Sequence, residues 1–467
     1  MTFAEALAAI LKTLGTISIL LMIGTFLRAK IPVFQQLFIP ASVIGGFIGL
    51  IFGPNLLDIA PFISADNMAV ASAMPNVLII PVLAAVPMGL KLGGGEKKAL
   101  VEKGNDMVVL SFITAGMFVG QMALGCLITA VCGALGAKTF HSMGMELAMG
   151  FSGGHGTAAS LGSSLEQLGD PMWEVAQGGA MTTATAGLIG GIIVGIIMIN
   201  YAARKGYTTQ IKSAAQMPEE MRVGIYPKGS ERPSMGPQTT VSNSIETLSL
   251  HLGLLLIASL GGYTLSSLGG ITGISILASL PIWLYGMIVM VILWGLVCLF
   301  KADYLFDDDV KNKVTGLLSD YLITAAIMTI PLSVVATYWV VLLAMIVAGL
   351  ILTPLVQWFI CKKLLRTNWF EKSLGMLGTN TGTYVTGLLL IKMADPDLKT
   401  DALADYSMGY TIGSLVLTPV MAIAMVQAVE GGTLSVLTFS GISTIICFGA
   451  MFIVQRVVFG KKPASTK

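Results

Sequence analysis

Runs of about 20 residues without a formal charge recur along most of this chain, and in hydrocarbon such a run has to be a helix, which pairs its own backbone N–H and C=O groups. Candidate spans fall at 5–27, 37–53, 72–91, 106–135 and 177–202, then at 249–268, 281–300, 316–337, 338–360 and 406–428, with a last one at 435–456. Charged residues make up 11% of the chain, against about 25% in soluble domains, which excludes a soluble fold. A net charge of +2 gives nucleic acid no purchase. The cysteines (Cys126, Cys132, Cys298, Cys361, Cys447) lie in apolar segments without metal-ligand spacing and read as small hydrophobes. Glu5 stands where a signal peptide would be basic, so the first span is expected to be retained.

Two segments break the pattern, and they match each other. Gly150–Pro171 (GFSGGHGTAASLGSSLEQLGDP) returns at Gly375–Pro396 (GMLGTNTGTYVTGLLLIKMADP) with an offset of 225 and no gap. Gly150 falls on Gly375, Gly153 on Gly378, Gly162 on Gly387 and Asp170-Pro171 on Asp395-Pro396; Pro40-x4-Gly45 and Pro281-x4-Gly286 add a weaker pair. Interrupted apolar segments at corresponding places in two halves point to a transporter's binding site.

The fold expected is all-α and polytopic: two inverted repeats of five transmembrane helices plus a re-entrant hairpin each, with one extra C-terminal helix. Residues 1–202 form the first repeat (re-entrant 142–168) and 248–430 the second (re-entrant 373–394). Between them lies a polar cytoplasmic linker, 203–247, and 431–467 adds a helix and tail. With the N-terminus outside and both broken segments returning to their own side, all of the 27 Lys and Arg residues except Lys12 and Lys138 fall inside, as the positive-inside rule requires. The C-terminus is then cytoplasmic. Five crossings per half invert one half relative to the other, so the hairpins enter from opposite faces.

Glycine- and hydroxyl-rich backbone inside a membrane survives only where protein or a cavity satisfies it. A break at Ser152, Gly153, Gly154, His155, Gly156 and Thr157, and another over Gly378, Thr379, Asn380, Thr381, Gly382 and Thr383, would free N–H groups for a carboxylate and carbonyls for a cation. Sodium candidates are Thr182, Thr185, Asn380, Thr381 and Thr411; back-bonding to the preceding turn is the plainer use of such threonines. Asp170 and Asp395, each before a proline, read as helix starts. His155 reads as a loop-shaping hydrogen bonder, not a zinc ligand. Asn76 and Asp320 are polar groups in apolar surroundings, and Asp320 suits an interface. Carboxylates otherwise look scarce in the spans, which favours sodium over proton coupling. Gly45-x3-Gly49-x3-Gly53 and Gly187-x3-Gly191-x3-Gly195 read as stripes for close helix packing.

The run Ser152–Ala159 (SGGHGTAA), with its weaker second copy, resembles the bacterial sodium:glutamate symporter family. The resemblance implies two inverted repeats with opposed re-entrant loops, a homodimer in the bacterial inner membrane, and sodium-coupled uptake of glutamate by an elevator-like movement. The second loop departs from the family's pattern, with Asn380 and Tyr384 where smaller residues and a proline are expected. A dicarboxylate or hydroxy-acid (citrate-type) carrier is the alternative. Polarity gathered in two patches does not suit a channel, and with no H-E-x-x-H the chain is read as no enzyme.

Overall fold

The computed structural model describes residues 3–37, 39–89, 104–208, 223–271, 282–330, 332–395 and 400–458. Its helices are α1 (Phe3–Lys30), α2 (Pro32–Gln36), α3 (Ala41–Phe52), α4 (Ala65–Ala84), α5 (Gly104–Ala134), α6 (Glu146–Phe151), α7 (Gly154–Gln167) and α8 (Trp173–Lys205), followed by α9 (Thr247–Ile271), α10 (Ile282–Leu299), α11 (Asp308–Met328), α12 (Leu332–Leu364), α13 (Trp369–Thr381), α14 (Tyr384–Ala394) and α15 (Ala402–Val458). Among the described residues there is no strand. Among the described residues eight helices are long and apolar enough to cross a membrane: α1, α4, α5, α8, α9, α10, α12 and α15.

Local chemistry sets where these helices start and stop. Ser64 accepts the Asn67 N–H and caps α4, moving the span expected at 72–91 toward the N-terminus; Leu90 and Lys91 lie outside the described residues. Gly206 ends α8 with φ 70°, a left-handed stop behind Arg204 and Lys205. Asp307 accepts the Asp309 and Val310 N–H groups, so α11 begins at Asp308 rather than 316. That helix ends at Met328, so the division expected at 337 falls ahead of α12. The span expected at 37–53 is shorter too. The helix there, α3, has 12 residues, about 18 Å at 1.5 Å per residue.

Helix α15 is two helices meeting at Gly432 (φ 68°, ψ −168°). Before the bend, Gly409 faces Leu110 and Gly413 faces Thr114; after it, Thr444 lies by Gly120 and Phe448 by Gly116. The first arm therefore runs along α5 and the second runs back. Thr433 pins the reversal by donating its N–H to His141 O and its hydroxyl to Met143 O. The spans expected at 406–428 and 435–456 correspond to these arms.

Packing divides the helices into two groups. One holds α1, α3, α4, α9, α10 and α11; the other holds α5, α6, α7, α8, α12, α13, α14 and α15. Helix α7 is the main link between them, against α4 and α11. There the buried Trp283 donates its indole N–H to Ser164. Both glycine stripes serve close packing. A Cβ at Gly45 would lie 2.5 Å from Leu20 O in α1, and one at Gly187 would lie 2.5 Å from Thr381 O in α13.

Candidate functional site

Each expected re-entrant segment is a pair of helices with a non-helical joint. In the first, α6 ends at Phe151, Ser152 and Gly153 form the joint, and Gly154 starts α7 with φ 65°. In the second, α13 runs to Thr381, Gly382 and Thr383 form the joint, and α14 starts at Tyr384. The expectation that Gly378–Thr381 would leave the helix is corrected. That stretch stays helical, with the Thr379 and Thr381 hydroxyls within reach of the preceding turn at Gly375 O (3.1 Å) and Leu377 O (2.8 Å). Gly378 is needed for a different reason. A Cβ there would lie 2.5 Å from Gly387 N in the opposing arm.

The two joints meet. A Cβ at Gly154 would lie 3.0 Å from Gly382 O and 2.7 Å from Thr383 Cγ2. Ser152 Oγ lies 3.3 Å from Asn380 Oδ1. Both second arms, α7 and α14, begin at this junction, so two helix N-termini and the carbonyl ends of α6 and α13 converge there. Thr383 caps α14 by accepting the Thr386 N–H. His155 Nε2 is 3.0 Å from Thr185 Oγ1; that hydroxyl donates to Met181 O, so His155 is the donor between them. Thr157 donates to Met149 O across the joint. Gly156 faces Ile79 of α4.

Not every expected residue gathers here. Thr182 donates back to Gly178 O and Thr411 to Ser407 O, both at 2.8 Å. Neither joins the network of the joints among the described residues. Asp320 is exposed, and Asn76 donates to Glu166 at 2.9 Å. Asp170 accepts the Met172 N–H in the turn before α8 instead of capping the helix itself. Asp395 accepts from the N–H and hydroxyl of Thr400, while Pro396 lies outside the described residues.

The residues that close the junction were not singled out in the sequence. Gln121, in the middle of α5 and 2% exposed, donates from Nε2 to Asn380 O (2.7 Å) and Thr353 Oγ1 (2.9 Å). It accepts from Ser152 Oγ at 2.6 Å. One side chain of a continuous helix thus holds both broken segments. Its signal was an amide in an otherwise apolar span, an expensive placement. Tyr406 ties the second hairpin to α15, its hydroxyl 2.5 Å from Thr379 Oγ1 and 2.8 Å from Tyr384 O, with one of the two hydroxyls donating to the other.

Lys372, expected in a cytoplasmic loop, is wholly buried. It pairs with Asp106 of α5 at 2.6 Å and Asp405 of α15 at 2.7 Å. Carboxylates are also less scarce than expected. Glu146 and Glu371, 225 residues apart and each 1% exposed, occupy the first arms of the two hairpins. Glu146 accepts the Gly144 N–H at 2.6 Å.

Gly150–Gly154 does match the G-x-S-x-G spacing of a hydrolase nucleophile, which corrects the expectation that the chain carries no such motif. That spacing works on a strand-to-helix turn with a histidine base in reach. Here Ser152 follows a helix and donates to an amide oxygen, and the His155 Nε2 donates to Thr185.

A family model described as sodium/glutamate symporter matches residues 7–381. The chain belongs to that family. The match takes in the whole first hairpin and stops at Thr381, one residue before the second joint. The sodium/glutamate symporter of Haemophilus influenzae is 25% identical over 249 residues, 53% of this chain; the chain spans only 56% of that relative's length. The family is one of membrane symporters and not of enzymes, and the apolar helices agree.

Proposed function

We propose that this protein is a secondary active transporter that couples sodium entry to uptake of an acidic amino acid, glutamate first. The observation that carries the reading is the meeting of two broken helices from a family member's two halves. Free N–H groups at the starts of α7 and α14, with Ser152, Gly153, Gly154, His155, Gly156 and Thr157 on one side and Thr379, Asn380, Thr381, Gly382 and Thr383 on the other, hold the substrate. Carbonyls at the ends of α6 and α13, with Asn380, Thr381 and Thr185, hold sodium.

Residues 1–202 and 248–430 form the inverted repeats, joined by 203–247, and the second arm of α15 is the appended helix. The group containing α5–α8 and α12–α15 moves as a body against the group containing α1, α3 and α4. Two features support an elevator-like movement. Ser152, His155, Thr379, Asn380 and Thr381 are buried, so a ligand reaching them requires movement around the junction. A cavity of about 110 Å³ lies between the groups, lined by Ser72, Trp173, Gln177 and Thr329 among others. The protein works as a homodimer in the bacterial inner membrane, N-terminus outside and C-terminus cytoplasmic.

Uptake of a panel of labelled anions into proteoliposomes, with and without a sodium gradient, tests the reading. Glutamate should lead the panel and require sodium, and preloaded substrate should exchange. A dicarboxylate or citrate leading the panel would reassign the substrate, and failure of exchange would defeat carrier transport altogether.

A further inference from the structure

We propose that Gln121 is a positioning residue that holds the Asn380 carboxamide nitrogen toward Ser152 and leaves its oxygen free to meet a positive charge. The inference rests on the transport reading above and follows from counting protons. Gln121 Nε2 lies 2.7 Å from Asn380 O, a backbone carbonyl that can only accept. The Gln121 amide is therefore fixed, with nitrogen toward Asn380 O and Thr353 and oxygen toward Ser152. A serine hydroxyl has one proton. At 2.6 Å, Ser152 gives it to Gln121 Oε1, so toward the Asn380 side chain, 3.3 Å away, Ser152 Oγ can only accept.

That leaves Asn380 one orientation. With Oδ1 facing Ser152, the oxygen gains no donor and Nδ2 has no partner either among the described residues, inside a residue that is 0% exposed. Turned through 180°, Nδ2 donates one of its two protons to Ser152, and the oxygen and the second N–H are left over. Amide orientation is assigned by such networks, and this one selects the turned form. The amide then holds a buried carbonyl oxygen with no donor, which repels a carboxylate and suits a cation. Two positive charges are at hand in the proposed reaction: sodium and the ammonium group of the amino acid.

Gln121→Met and Gln121→Glu separate this role from simple packing. Methionine offers Ser152 no acceptor, so the serine proton swings to Asn380 Oδ1 and occupies the cation's ligand. Glutamate, as the neutral acid, donates its one O–H to Asn380 O, keeps an acceptor for Ser152 and so preserves the orientation. In proteoliposome uptake, Gln121→Met should raise the half-saturation for sodium about tenfold, the scale of one hydrogen bond to a charged group. Gln121→Glu should recover most of that change.

A tenfold rise instead in KM for the amino acid, with none for a dicarboxylate lacking the ammonium group, supports the same chemistry with the ammonium as the charge. If Gln121→Met lowers only the maximal rate, with both half-saturations unmoved, the residue is structural and the inference falls. Wild-type uptake without sodium dependence would overturn the transport reading itself, a result distinct from an unmoved half-saturation in the variant.

Discussion

Replacing Lys372 by methionine tests how the second hairpin is held. The Nζ of Lys372 reaches Asp106 at 2.6 Å, Asp405 at 2.7 Å and Thr367 Oγ1 at 2.9 Å. Breaking a buried ion pair by removing one partner costs about 3–5 kcal/mol, because the other charge is left uncompensated. The two carboxylates would not suffer equally. Asp106 keeps donors from Asn105 Nδ2 (2.7 Å), Arg366 N (2.9 Å) and Thr367 N (3.2 Å). Among the described residues Asp405 keeps nothing comparable, and its Oδ1 has no hydrogen-bond partner there even with the lysine present.

Most of the loss should therefore be Asp405's. Lys372→Met should lower the unfolding temperature in detergent clearly, and Lys372→Met/Asp405→Asn should restore most of it. Lys372→Met/Asp106→Asn should restore less. A Lys372→Met protein that unfolds with the wild type, or equal rescue by both asparagines, would refute the reasoning.

Gly154→Ala should abolish uptake while the protein still reaches the membrane. Its φ of 65° costs a side-chain-bearing residue roughly 1–2 kcal/mol, and the new methyl would sit 2.7 Å from Thr383 Cγ2 and wedge the joints apart. Thr182→Val should leave the half-saturation for sodium unchanged, since that hydroxyl turns back to Gly178 O; a large rise would return Thr182 to the site. Gly150→Ala should lower the unfolding temperature more than Gly15→Ala. A Cβ at Gly150 would lie 2.6 Å from Ala180 O and Ala184 N, whereas at Gly15 it meets nothing within 4 Å.

What the sequence made legible was whatever repeats or punctuates. The duplicated glycines located both broken segments, because small residues are needed where arms cross closely, as at Gly378 and Gly387. The second joint fell at Gly382-Thr383 instead of further upstream: the threonine hydroxyls before it turn back on the preceding turn inside the helix, a local choice that composition does not reveal. Lys372 was misplaced for a related reason. Counting basic residues assumes they lie in loops, and its two counter-charges come from residues far away in the chain. Gln121 was overlooked because one amide barely changes the apolar character of its span. Only the folded chain brings Ser152, Thr353 and Asn380 around it.

A density map of the protein with sodium and glutamate bound, at a resolution that separates side chains, tests the central claim most directly. Substrate density should lie between Ser152–Thr157 and Thr379–Thr383, with the Asn380 side chain in contact with a positively charged group. Substrate found instead in the cavity beside Ser72, Trp173 and Thr329, with the two joints still closed on each other, would contradict the account.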